Sequence, residues 1–134
     1  MGDREAACSC RQLRLVCAGA PVRVSMCHCL ECQRRTGSAF GVQAWYPEAQ
    51  VRAVEGRAKQ HVRTADSGRT VTFQFCPDCG GTVFWRAEGA PGQIAVAVGT
   101  FAEPGFAPPR FSVHERSRHA WTSAIGALEM ERRA

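Results

Sequence analysis

Three cysteines fall within six consecutive residues, Cys27-His28-Cys29-Leu30-Glu31-Cys32, in the spacing C-x-C-x-x-C. Two further pairs flank them, Cys8 and Cys10 upstream and Cys76 and Cys79 downstream. Neighbouring thiols in a C-x-C pair make awkward partners for separate disulfides, whereas clustered thiols suit a soft metal ion. Zinc takes four ligands and favours thiolates in structural sites. One C-x-C pair and one C-x-x-C pair complete a four-thiolate site. The central triple is then left with three thiolates, and its spacing supplies no obvious fourth. A closed site holds a fold together, and a site one ligand short can do chemistry.

The pairing of Cys8 and Cys10 with Cys76 and Cys79 is favoured because it leaves a contiguous triple on one turn. The alternative, in which the downstream pair shares an ion with two cysteines of the triple, stays open on spacing alone. So does a structural triple closed by His28, Glu31 or a distant residue, and so does a metal-free redox cluster. If the triple holds an ion, its open position suits an incoming thiol, which loses its proton on binding and remains a nucleophile. Three thiolate donors make the metal a weaker Lewis acid than three imidazoles would, so thiol activation fits better than water activation.

The other residues carry weaker signals. Cys17, the eighth cysteine, lies on an apolar strand face and reads as core. His28 is expected beside the site or in solvent rather than as a ligand. Arg34 and Arg35 closely follow the triple and can offset its charge or hold a substrate carboxylate. Trp45, Trp85 and Trp121 read as core, His61 carries no signal, and His114 and His119 have a weak claim on the site.

A chain of 134 residues with 45% hydrophobic and 22% charged composition suits one globular domain, residues 1–134, with residues 1–7 as a short mobile lead. The formal net charge of +5 counts every cysteine as neutral. Thiolates around metal ions would cancel part of it, so nucleic acid is an unlikely partner. No apolar run approaches the ~18 residues of a membrane span, and the start of the chain has no apolar signal region. A cytoplasmic location is therefore expected.

Alternation of apolar residues predicts many short strands and little helix, an all-β domain of irregular, mainly antiparallel sheets. Arg11 to Met26 reads as a hairpin turning at Ala18-Gly19-Ala20-Pro21. Strands are expected at Phe40–Tyr46, Val51–Val54, Ala58–Thr64, Thr70–Phe75, Thr82–Arg86 and Ile94–Val98. A helical turn closed by Gly37 should follow the triple, residues 103–111 should form a loop, and Thr122–Arg132 should form a helix. Cys76-Pro77-Asp78-Cys79-Gly80-Gly81 has the form of a zinc knuckle.

Together these residues resemble the glutathione-dependent formaldehyde-activating enzyme family, the group that includes the centromere protein V domain. The carriers are Cys8-Ser9-Cys10, Cys27 through Ser38, Phe75-Cys76-Pro77-Asp78-Cys79-Gly80, and the late Ser117-Arg118-His119-Ala120-Trp121. The resemblance implies an Mss4-like fold of twisted antiparallel sheets. It implies two zinc ions per chain: a structural one at Cys8, Cys10, Cys76 and Cys79, and a catalytic one at Cys27, Cys29 and Cys32. It also implies a carbon–sulfur lyase-type activity, condensing glutathione with formaldehyde to S-hydroxymethylglutathione, with Arg34 and Arg35 as candidate glutathione contacts. Two positions depart from the family pattern: Arg11 stands where Gly is usual, and Ser112-Val113-His114 stands near a usual His-Ile. Two other classes are weighed against this one. One is a non-catalytic, zinc-stabilised binding module for a protein or nucleic acid. The other is a methionine sulfoxide reductase, which would need Cys17 as its free thiol.

Overall fold

The protein is described here by a computed structural model covering residues 2–122 and 130–134. It is mainly β, in two sheets. The smaller has the order β1-β2-β5, built from Asp3–Ala7, Arg14–Ala18 and Val51–Glu55. The larger runs β11-β10-β3-β4-β9-β8-β7-β6. Its strands are β3 (Arg23–Cys27), β4 (Gly41–Pro47), β6 (Lys59–Thr64), β7 (Thr70–Phe75), β8 (Thr82–Ala87), β9 (Gln93–Ala97), β10 (Phe111–Val113) and β11 (Glu131–Arg132). Pairing is antiparallel except where β10 runs parallel to β3 and to β11. One short helix, α1, spans Leu30–Thr36. No helix among the described residues is long and apolar enough to cross a membrane.

The main core lies between the sheets. Alternation along β2 sends Leu15 and Cys17 inward, with Leu13 just before the strand. They meet Val24, Ala44, Tyr46, Phe84, Ile94 and Val96 of the larger sheet. The central strands are apolar on their second face as well. Trp45, Phe73, Trp85 and Ala95 form a separate cluster there. Arg23, Ser25 and Cys27 alternate with Val24 and Met26 along β3, so they share this outer face with Trp45. The candidate site is built on it.

Three expectations are corrected. Residues 3–7 form β1, paired along its length with β2, rather than a mobile lead. The segment is mostly polar because it packs at an edge, where only Ala6 is fully enclosed. The Arg11–Met26 hairpin does not form: β2 pairs with β1 and β5, whereas β3 pairs with β4 and β10. The turn at Gly19 carries the chain from one sheet to the other, held by Gln50 Nε2 donating to the carbonyls of Ala18 (2.6 Å) and Ala20 (3.0 Å). The expected helix over Thr122–Arg132 falls largely outside the described residues, but its end, Glu131–Arg132, is a strand.

Candidate metal centres and active site

The seven clustered cysteines separate into two groups. The sulfurs of Cys8, Cys10, Cys76 and Cys79 all lie within 4.8 Å of one another, as do those of Cys27, Cys29 and Cys32. In the first group Cys8 and Cys10 are 3.7 Å apart and Cys10 and Cys76 are 3.6 Å apart. A tetrahedron of thiolates around zinc has edges of about 3.8 Å. These two edges match that spacing and the group could hold a metal ion, and the crossed pairing left open by spacing is not the one the fold makes.

Donors support these sulfurs. The backbone N–H groups of Asp78 (3.4 Å) and Cys79 (3.5 Å) point at Cys76 Sγ, as expected of a knuckle. Gln12 Nε2 donates to the same sulfur at 3.0 Å, and Leu13 N–H donates to Cys8 Sγ at 3.3 Å. Gln12 is itself fixed by Arg57: it donates to the Arg57 carbonyl and accepts from the Arg57 N–H. Gly56 has φ +92°, and a Cβ there would lie 1.9 Å from the Gln12 carbonyl oxygen.

The triple sits where β3 ends and α1 begins. Cys27 is the last residue of β3. Cys29 is the N-cap of α1, its sulfur accepting the Cys32 N–H at 3.3 Å. Gly37 closes the helix in the left-handed conformation, as its position predicts. Cys27 and Cys32 are buried and Cys29 is half-buried. Hydrogen bonds from Cys27 and then Cys32 hold the Cys29 thiol far below its usual range. The same contacts, first with Cys29 and then with Cys32, push Cys27 up. Among the described residues no histidine or carboxylate joins this group.

His28 faces the opposite way. It is buried, and its Nε2 lies 3.0 Å from Ser112 Oγ. Ser112 in turn lies 2.5 Å from Glu115 Oε2. A carboxylate only accepts, so Ser112 donates to Glu115 and receives the Nε2–H of His28. Burial lowers the His28 pKa, against the opposing pull of the Glu115 carboxylate. The His28 backbone N–H donates to the Val113 carbonyl (3.1 Å), beside the Val113–Cys27 pair of the parallel ladder. Gln33 adds a second tie, donating to the carbonyls of His28 and Ser117 and contacting His119 Nε2 at 2.9 Å. The late segment therefore braces the triple from behind.

Arg34 is exposed and paired with Glu31 at 2.9 Å. Arg35 turns toward the sheet, its guanidinium 4.4 Å from the Trp85 ring centre and 5.7 Å from that of Phe73. Its Nε and Nη2 are buried without hydrogen-bond partners. Both arginines line a cavity of about 350 Å³ with Glu31, His61, Arg63 and Phe73. Cys27 lines a different cavity, of about 200 Å³, with Arg23, Gln43, Trp45, His114 and Arg133 among its walls. Sequence reasoning passed over Arg23, Gln43 and Arg133. The polar alternation of β3 was the available signal for Arg23, but Arg133 arrives only through the pairing of β10 with β11. Cys17 is fully buried, and burial pushes its thiol up to about 12, which removes the free reactive thiol a sulfoxide reductase would need. Trp45 and Trp85 are buried as expected, but Trp121 is 61% exposed, its ring edge-on to His119.

The sequence family described as glutathione-dependent formaldehyde-activating enzyme matches residues 3–123. The chain belongs to this family. Its match spans both cysteine groups and the bracing segment that carries Ser112 and Glu115. A crystal structure of a Rhodobacter sphaeroides protein, solved as a structural genomics target, superposes with a TM-score of 0.57 at 20% identity, covering 78% of this chain and 91% of that one. That likeness concerns the fold alone. No curated protein matches the chain.

Proposed function

We propose that this chain is a zinc-dependent enzyme of the carbon–sulfur lyase type. It would join glutathione, or a similar thiol, to formaldehyde or a related small aldehyde, and run the reverse reaction. The observation that carries this reading is the unequal division of the cysteines: four sulfurs close one group, and three form another, of which Cys27 lines a cavity. Family membership supports the substrate pair. Cys8, Cys10, Cys76 and Cys79 would hold a structural zinc ion, and Cys27, Cys29 and Cys32 a catalytic one. When bound at the triple, zinc supplies a position at which a substrate thiol is held as its thiolate.

The protein's own residues do the rest. The C-x-C-x-x-C turn presents three sulfurs together, and the His28–Ser112–Glu115 chain keeps that turn fixed to β10. In the forward direction a carbon–sulfur bond forms as the aldehyde C=O π bond breaks. The thiol proton is released and the new alkoxide takes one up, so RSH and CH₂O give RS–CH₂OH. His114, the imidazole that lines the same cavity as Cys27, would move this proton. Positioning of sulfur against carbon supplies most of the acceleration.

The test is the rate of S-hydroxymethylglutathione formation above the uncatalysed rate, followed by NMR for the parent and for Cys29→Ala. The reading requires the parent to accelerate it and the variant to lose that acceleration. Equal rates would remove the triple from the chemistry and favour the binding-module reading.

A further inference from the structure

Pairing in the larger sheet assembles a recognition surface beside the triple. Arg23, Ser25 and Cys27 project from one face of β3. Trp45 pairs with Arg23 and Gln43 with Ser25 across the antiparallel ladder, and Phe111 pairs with Ser25 across the parallel one. With His114 and Arg133 these residues line the cavity of about 200 Å³ that Cys27 also borders; Arg23 and Arg133 reach it from the exposed side.

Three observations point to what this cavity takes. Its two guanidinium groups are held on aromatic platforms, Arg23 at 5.1 Å from the Trp45 ring centre and Arg133 at 5.5 Å from that of Phe111. Burial and then the charge of Arg133 lower the Arg23 pKa, so the two cations share one space. Arg133 is neutralised by Glu131 at 2.7 Å, but among the described residues Arg23 has no carboxylate partner. The third observation is Gln43, 7% exposed, whose Oε1 is buried and accepts no hydrogen bond. An unpaired acceptor beside an unpaired guanidinium matches a ligand that carries both a carboxylate and an N–H group.

We propose that this cavity is the subsite for the acidic end of a peptide thiol: Arg23 takes a carboxylate, Gln43 Oε1 accepts an amide or ammonium N–H, and the thiol reaches the triple. The proposal rests on the reading of the triple as the thiol site. Residues four apart on a strand are about 13 Å apart, and an extended tripeptide spans about 10 Å. The two lengths are of the same order, so a ligand anchored at Arg23 brings its thiol to the triple. The cavity thereby sets the enzyme's preference for an acidic peptide thiol over a small neutral one.

The experiment has two readouts in the metal-loaded protein. The first is the ratio of kcat/KM for glutathione to that for 2-mercaptoethanol, in the parent, Arg23→Ala, Arg23→Lys and Gln43→Leu. Arg23→Ala should lower this ratio roughly tenfold through KM, and Arg23→Lys should restore part of it. Gln43→Leu should lower it less and leave thermal stability equal or higher, since it removes an unpaired buried acceptor. The second readout is calorimetric binding of S-methylglutathione, whose sulfur cannot become a thiolate. Binding that weakens about tenfold in Arg23→Ala supports the subsite even if the parent catalyses nothing, and would separate failure of the reaction from failure of the subsite. A ratio and a binding constant both unmoved by Arg23→Ala, or the absence of S-methylglutathione binding to the parent, would overturn the proposal.

Discussion

His28 Nε2 lies 3.0 Å from Ser112 Oγ, across 84 positions of sequence, and joins the cysteine turn to the late segment at a fully buried contact. Ser112→Ala removes the close acceptor and leaves the His28 Nε2–H only the longer contact to Glu115 Oε2, at 3.5 Å. An unsatisfied buried donor costs about 1–3 kcal/mol. The variant should unfold at lower denaturant concentration by that amount. A change within error would mean that the hydroxyl is not the acceptor.

Arg11 has φ +69°, in the turn that follows Cys10. The turn after Cys10 demands the left-handed conformation, which costs a side-chain-bearing residue about 1–2 kcal/mol. Arg11→Gly should therefore stabilise the protein by roughly 1 kcal/mol, measured by the urea midpoint, with little change in metal content.

Gly56 reports on the same clip from the other side. A Cβ there meets the Gln12 carbonyl oxygen at 1.9 Å. Gly56→Ala must displace Gln12, which donates to Cys76 Sγ. A loss of about 3 kcal/mol or more is expected from strain at a special backbone position. Metal release to a chelator should also be faster than from the parent.

Glu115 supplies a pH signature. Burial opposes its ionisation, but the Ser112 hydroxyl and the guanidinium groups of Arg132 and Arg118 outweigh it and hold the carboxyl below the ordinary value of 4.5. A carboxyl lowered by folding contributes stability that is present above its unfolded pKa and is lost as the pH falls through the folded value. Glu115→Gln should thus be less stable than the parent above about pH 5, with the gap closing as the pH drops below about 4. Paired denaturation curves across that range check the sign.

Much of this architecture was legible in the residues. Period-two alternation located β4, β7, β8 and β9, and Leu13, Leu15 and Cys17 proved to be one buried face. Spacing favoured the division of the cysteines, but only the fold excluded the crossed pairing. What escaped depended on partners distant in sequence. Residues 3–7 have no apolar alternation, because β1 gains its ladder from β2 rather than from its own pattern. β10 and β11 have three and two residues, too short for any period to register. Their pairing nevertheless carries Ser112 to His28 and Arg133 to the cavity at Cys27. Arg34 and Arg35 stood out by proximity to the triple, yet Arg34 ends in a surface pair with Glu31 and Arg35 lies over Trp85.

The central claim is that the triple, and not the four-sulfur group, receives the substrate thiol. Cobalt(II) replacing zinc makes it visible, because thiolate-to-metal absorption rises with each added sulfur ligand. Titrating the cobalt-loaded protein with glutathione should raise that absorption by about one further thiolate per chain. S-methylglutathione should not raise it, and Cys29→Ala should lose the response. A spectrum unchanged by glutathione in the parent would contradict the account.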